Sequence, residues 1–234
     1  MASTSSPLLR VPTLTSVGKK ISPLSPNGLF AVVRLAHKYG IESVERQGLE
    51  TVQEQYSLDL TTWLKMSGFG FLSPRVHAIG AINLARLTDT PSILPVAMLR
   101  CAHLGGSVTE GWEREDGSVE HLSAEDLQRV IDGRDALARH GTHELLQLLA
   151  VIPHSDCRQR DSCRESFGYA LETLDVASVL GSANIFSTYQ DVVDGLLTED
   201  YCETCAQSIE RHGREQQRRM WDALPKMFRL KIRH

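Results

Sequence analysis

The chain has 234 residues, of which 41% are hydrophobic, 23% charged and only 6% aromatic. Its 25 Lys and Arg stand against 29 Asp and Glu, a formal net charge of −4, so there is no general pull toward nucleic acid or an anionic membrane. No apolar run approaches the roughly 18 residues of a bilayer span, and the length suits one or two domains able to bury a core.

Residues 1–27 hold six Ser, three Thr and four Pro, with Arg10, Lys19 and Lys20 as their only charges; the first acidic residue is Glu42. Such a segment buries little apolar surface and is expected to be a disordered leader. It has no apolar stretch of the secretory type. Ser-rich, basic and free of acid, it shares features with an organelle transit peptide, but Pro7, Pro12, Pro23 and Pro26 interrupt the amphipathic helix such a peptide needs. The expected location is cytoplasmic or nuclear, with organelle import as the alternative.

Gly28 opens the first patterned segment. Leu29, Val32, Val33, Leu35 and Ala36 form a helical stripe that ends at Tyr39-Gly40, with Gly40 placed as the glycine just past a helix end. Ile41, Val44, Leu49, Val52 and Tyr56 predict a second helix over 41–56. Trp63, Leu64 and Met66 follow, and Ser67-Gly68-Phe69-Gly70 reads as a turn. A third helix is expected from Pro74 to about Leu87, with Val76, Ile79, Ile82, Leu84 and Leu87 on its apolar side, and a fourth from Pro91 to about Leu104. Between 105 and 121, Gly105-Gly106, Trp112 and Asp116-Gly117 suggest a loop or a small hairpin.

Ser123 with Glu125 and Asp126 reads as a cap and an acidic first turn. Leu127, Val130, Ile131, Leu137, Leu145, Leu146 and Leu149 carry a long helix that Gly133 and Gly141 are expected to bend or split and Pro153 to end. Further helices are expected over 162–180, from the Gly181-Ser182 break to about Leu196, and over 203–223, where Pro225 stops the last. No repeat of 20 to 50 residues occurs and strand patterns are few. The predicted class is therefore mainly α: one helical bundle over 28–232 after the leader, with one small hairpin near 112–121.

Five cysteines without a secretory signal argue against a disulfide framework. Cys101, in an apolar run, reads as a small buried hydrophobe. The other four make two pairs, Cys157 with Cys163 (C-x5-C) and Cys202 with Cys205 (C-x2-C), 38 residues apart. Thiolates at C-x2-C spacing can both reach one tetrahedral ion, and a second pair would complete an all-thiolate, closed zinc site. Cys157, Cys163, Cys202 and Cys205 are thus candidate ligands of a structural zinc, with His154 as a substitute ligand. Reduced thiol pairs and disulfides are the alternatives. A thioredoxin-like role for Cys202 and Cys205 lacks the βαβ context it needs.

Other chemistry has little support. There is no G-x-S-x-G, P-loop or G-x-G-x-x-G, and His140-Gly141-Thr142-His143-Glu144 lacks the order of H-E-x-x-H. His140 and His143 read as exposed helix residues, and His37 and His77 as hydrogen-bonded structural ones. From Ala206 onward there are eight Lys and Arg against three acids. That segment reads as a solvated helix face, with nucleic-acid binding the weaker alternative.

Together these segments resemble a known family. Val33-Arg34-Leu35-Ala36-His37-Lys38-Tyr39-Gly40-Ile41, followed by Val44 and Leu49, is similar to the closing helices of fungal BTB/POZ domains. His77-Ala78-Ile79-Gly80, Asn83-Leu84-Ala85-Arg86-Leu87, Leu94-Pro95 with Met98, Arg114-Glu115-Asp116-Gly117 and the paired cysteines resemble the region that follows that domain in basidiomycete-type members. So does the ending Trp221-Asp222-Ala223-Leu224-Pro225-Lys226-Met227-Phe228-Arg229-Leu230, where the family's pattern carries glycine in place of Arg229. The resemblance covers about 28–232 and omits the BTB core, for which residues 1–27 are too short. It implies a non-enzymatic, α-helical protein-interaction module, an adaptor whose partners are other proteins or a second copy. By residue type Trp112 and Trp221 are candidate anchors, with core packing the favoured reading for either. The alternative is a small metal- or thiol-dependent protein using the paired cysteines.

Overall fold

The computed structural model describes residues 24–68, 75–173, 181–197 and 199–231. Most of the expected leader, with Phe69, Gly70, Pro74 and the expected helical stretch 174–180, lies outside these residues. Ten helices, two 3-10 turns and one two-stranded hairpin occur among the described residues, and the protein is mainly α.

The first helix starts two residues earlier than the stripe suggests. In α1 (Pro26–Tyr39), Ser25 caps the end by accepting the Gly28 N–H at 3.1 Å, and Pro26 takes the first helical position, where its missing N–H costs nothing. Pro26, counted with the leader, is in fact the helix start. Gly40 closes α1 at φ +66°, with the Ile41 N–H reaching back to the Ala36 carbonyl at 2.8 Å. The buried face is Leu29, Phe30, Val33 and Ala36; Leu35, expected on it, is 54% exposed. The antiparallel partner α2 (Glu42–Gln55) packs Gly48 against Val33 and buries Val52. Trp63 lies on a further helix, α3 (Leu60–Gly68), that includes part of the expected turn.

The centre of the bundle is the pair α4 (His77–Leu87) and α5 (Leu94–Ala102), which follows a 3-10 turn at Pro91–Ile93. Every residue of α5 is buried, including Arg100, whose guanidinium sits 5.5 Å from the centre of the Tyr56 ring. Cys101 lies within this core, as its apolar surroundings suggest. After a second 3-10 turn (Gly105–Thr109) comes the hairpin: β1 (Trp112–Glu113) pairs antiparallel with β2 (Val119–Glu120), Trp112 opposite Glu120. Trp112 is buried edge-on against Phe30, directly over Gly80, where a Cβ would stand 2.3 Å from the indole. Glu120 fastens the hairpin by accepting from Arg34 at 2.6 Å, from Asn83 at 2.8 Å and from both nitrogens of one side of Arg114.

Helix α6 (Ala124–Leu149) runs unbroken for 26 residues, capped by Ser123, and neither Gly133 nor Gly141 splits it. Both glycines are instead close-approach points. Cβ atoms there would lie 2.2 Å from the Phe228 ring and 2.6 Å from Ile185. Then come α7 (Arg160–Thr173), α8 (Ile185–Leu197), α9 (Glu203–Asp222) and the short α10 (Leu224–Met227). Pro225 does not simply stop the preceding helix; it occupies the first turn of α10. Trp221 joins Trp63 and Phe186 in an aromatic cluster with ring centres 5.3–6.4 Å apart, and its indole N–H donates to the Leu58 carbonyl at 2.6 Å. Both Trp112 and Trp221 are therefore core residues.

Arg229 closes α10 in the left-handed region, φ +51°, with the Leu230 N–H on the Pro225 carbonyl at 2.8 Å and its own N–H on that of Lys226 at 3.1 Å. This is the closure that favours glycine, because a Cβ is strained at this φ. The ion pair from Arg229 to Asp132, 2.9 Å, is largely exposed and contributes little. Arg229→Gly is expected to stabilise the protein by about 0.5 kcal/mol, read as a raised urea midpoint at unchanged slope. A lowered midpoint would show that the ion pair outweighs the strain.

Candidate metal centre

The polar side chains that the sequence singles out are dispersed, with one exception. His37 pairs with Glu45 at 2.8 Å, and His77 lies edge-on to Trp112. His103 contacts the Ala183 carbonyl at 3.2 Å, and burial draws its pKa down to about 4. His140 is not the exposed residue expected: its side chain is partly covered and its Nε2 faces Glu144 at 3.9 Å. The basic C-terminal segment is laced with acids, Arg214 to Glu210, Arg218 to Asp222 and Arg219 to Glu144, in keeping with a solvated helix face.

The exception is the cysteines. After α6 the chain turns, the Cys157 N–H bonding the His154 carbonyl at 3.0 Å, and delivers Cys157 just before α7. Cys163 follows in the first turn of α7. The second pair straddles another helix start: Cys202 is the N-cap of α9 and Cys205 lies in its first turn. A C-x2-C placed across a helix start points both side chains to one side, and α9 starts where α7 starts. All four Sγ atoms lie within 4.8 Å of one another, Cys157 and Cys202 at 3.6 Å. Sulfurs at the corners of a tetrahedron about a zinc ion, with bonds of about 2.3 Å, stand about 3.8 Å apart. The bonding distance of a disulfide is about 2.05 Å, and all five cysteines are free.

Two backbone N–H bonds cross between the two cysteine segments. The His154 N–H points to the Cys205 sulfur at 3.4 Å and the Cys202 N–H to that of Cys163 at 3.3 Å. Both α7 and α9 present their N-terminal ends to it, where partial positive charge favours thiolate. Burial pushes the Cys205 thiol up to about 12 and the Cys163 thiol in the same direction. The Cys205 backbone N–H draws Cys202, the only half-exposed member, down to about 7. Cys157, Cys163 and Cys205 are buried.

His154 does not join the group. Its Nδ1 accepts the Asp156 N–H at 3.1 Å and faces the Asp156 carboxylate at 3.9 Å, so it closes a local turn rather than substituting as a ligand. Tyr201, which no sequence pattern marked, packs on the sulfurs; its hydroxyl is buried with no hydrogen-bond partner among the described residues. Its place just before the second pair was the one available signal.

No protein-family model matches the chain, and no curated protein or solved structure matches it significantly. Among the described residues no helix is long and apolar enough to cross a membrane.

Proposed function

We propose that this chain is a non-catalytic protein-interaction module of the kind that accompanies BTB/POZ domains, docking through the outer face of α1. The observation that supports it is an exposed apolar line at the end of α1: Leu35 is 54% exposed, Tyr39 67% and Ile41 48%, while the opposite face of the helix is fully built into the core. Leu35 and Tyr39 are one helical turn apart and so adjoin, and Ile41 extends the line past Gly40. Scattered apolar residues on a surface are ordinary, but an adjoining apolar set with a tyrosine has the make-up of an interface centre. Lys38 lies beside it, 5.6 Å from the centre of the Tyr39 ring.

Deleting α1 would test nothing, because Leu29, Phe30 and Val33 are core residues. The double variant Leu35→Glu/Tyr39→Glu changes only exposed positions. It is expected to keep its thermal midpoint and lose association by about tenfold or more, the equivalent of about 1.4 kcal/mol. Sedimentation velocity over a concentration series measures pairing with a second copy, and quantitative co-purification measures other proteins. A variant that associates as wild type does in both would end this reading. Thiol redox chemistry at Cys202 and Cys205 has less support, since the pair opens α9 and adjoins no strand among the described residues.

A further inference from the structure

We infer that Cys157, Cys163, Cys202 and Cys205 bind one zinc ion as a closed, structural tetrathiolate site that ties the loop before α7 to the start of α9. This is independent of how α1 is used, and failure of either leaves the other standing. Four sulfurs from two segments separated by 38 residues arrive within 4.8 Å of one another, near the spacing of a tetrahedral ion's ligands.

The surroundings suit the charge such a site carries. Four thiolates around Zn²⁺ leave two net negative charges. The N–H groups of His154 and Cys202 aimed at two of the sulfurs, with the N-terminal ends of α7 and α9, disperse that charge. On loading, four S–H groups ionise, four Zn–S bonds form and the protons pass to solvent; nothing is oxidised or reduced. Soft sulfur ligands in tetrahedral array select zinc or iron and disfavour magnesium or calcium. With four protein ligands no position remains for water or substrate, which assigns the ion a structural role.

The fold also gives the ion work to do. Among its buried residues α7 has only Cys163 and Ala170, and the cysteines form a satellite cluster separate from the main core. A helix anchored by so little apolar area gains little from burial alone, and small satellite units of this kind are commonly held by a metal. The ion would add to the partial anchor that Ala170 and the half-buried Phe167 give α7.

The test is elemental analysis of the full chain purified in reducing, chelator-free buffer, beside Cys202→Ser/Cys205→Ser. About one zinc per chain is expected in the wild type and background in the variant. Exchange with Co²⁺ should give intense tetrahedral bands and thiolate-to-cobalt charge transfer. Should the variant fail to fold, the wild type alone decides: its cluster thiols should resist a thiol reagent until a zinc chelator is added. Metal at background with those thiols freely reactive, zinc retained by the folded variant, or iron in place of zinc would each overturn the assignment.

Discussion

Phe228→Ala is expected to lower stability by about 3–5 kcal/mol, measured by chemical denaturation. Phe228 is fully buried at the end of α10, and its ring lies directly over Gly133 of α6. Removing the ring deletes a large buried apolar surface and leaves a void that two helices and a tight closure cannot easily collapse to fill. The complementary change is Gly133→Ala. Alanine in a helix interior normally gains about 1 kcal/mol over glycine, but here the new methyl would meet ring carbons at 2.2 and 2.3 Å. A ring held on all sides cannot swing aside, so overpacking of about 1–3 kcal/mol should win and the variant should be destabilised. Combined with Phe228→Ala the same alanine enters open space and should be tolerated. The double variant is then more stable than the sum of the singles by about 1 kcal/mol or more. Additivity would show that the two residues do not touch in solution.

Asp126→Asn is expected to cost about 2–3 kcal/mol at neutral pH and to flatten the acid limb of the stability curve. Asp126 is buried at the third position of α6, where its N–H is held by Ser123. Its carboxylate takes a two-point contact from Arg86, at 3.1 and 2.6 Å, and a third bond from Arg129 at 3.1 Å. Burial by itself would raise its pKa, yet the bond and charge of Arg86, then the charge of Arg129, outweigh it and leave the pKa lowered. The unfolded aspartate titrates near 3.9, above the folded value, so the contribution is fully present above roughly pH 5. It is lost as pH falls through about 3.9 toward the folded pKa, because only the unfolded chain takes up the proton there. The asparagine variant has no such proton to take up. Both arginines reach solvent and can rehydrate, which keeps the loss below the full cost of orphaning a buried pair. An unchanged acid limb would assign the pH dependence to other carboxylates.

Much of the helical frame was legible because it is written in near neighbours. Ser123 with acids two and three residues on, Gly40 after Tyr39 and the Asp116-Gly117 turn each act within a few residues, and each appears where the pattern put it. Which side of a helix is inside was less legible. Leu35, Ile131 and Leu146 follow the apolar stripes and yet are half exposed, whereas Phe30 and Leu148 are buried. Periodicity shows that a helix has an apolar face; the width of the contact depends on the partner that covers it.

By itself the sequence determined the class: mainly helical, one small hairpin, helix ends marked by Ser123 and Gly40, and two close cysteine pairs. Only the tertiary structure decided that Gly133 and Gly141 are contact points rather than breaks, that Pro225 starts a helical turn, and that Arg229 holds a conformation made for glycine. Only it brought Cys157 and Cys163 to Cys202 and Cys205 and left His154 aside. The physical reason is range. Caps and turns are decided by hydrogen bonds between residues three or four apart, while glycine contacts and the meeting of four sulfurs depend on how α6, α7 and α9 pack together, which no local spacing encodes.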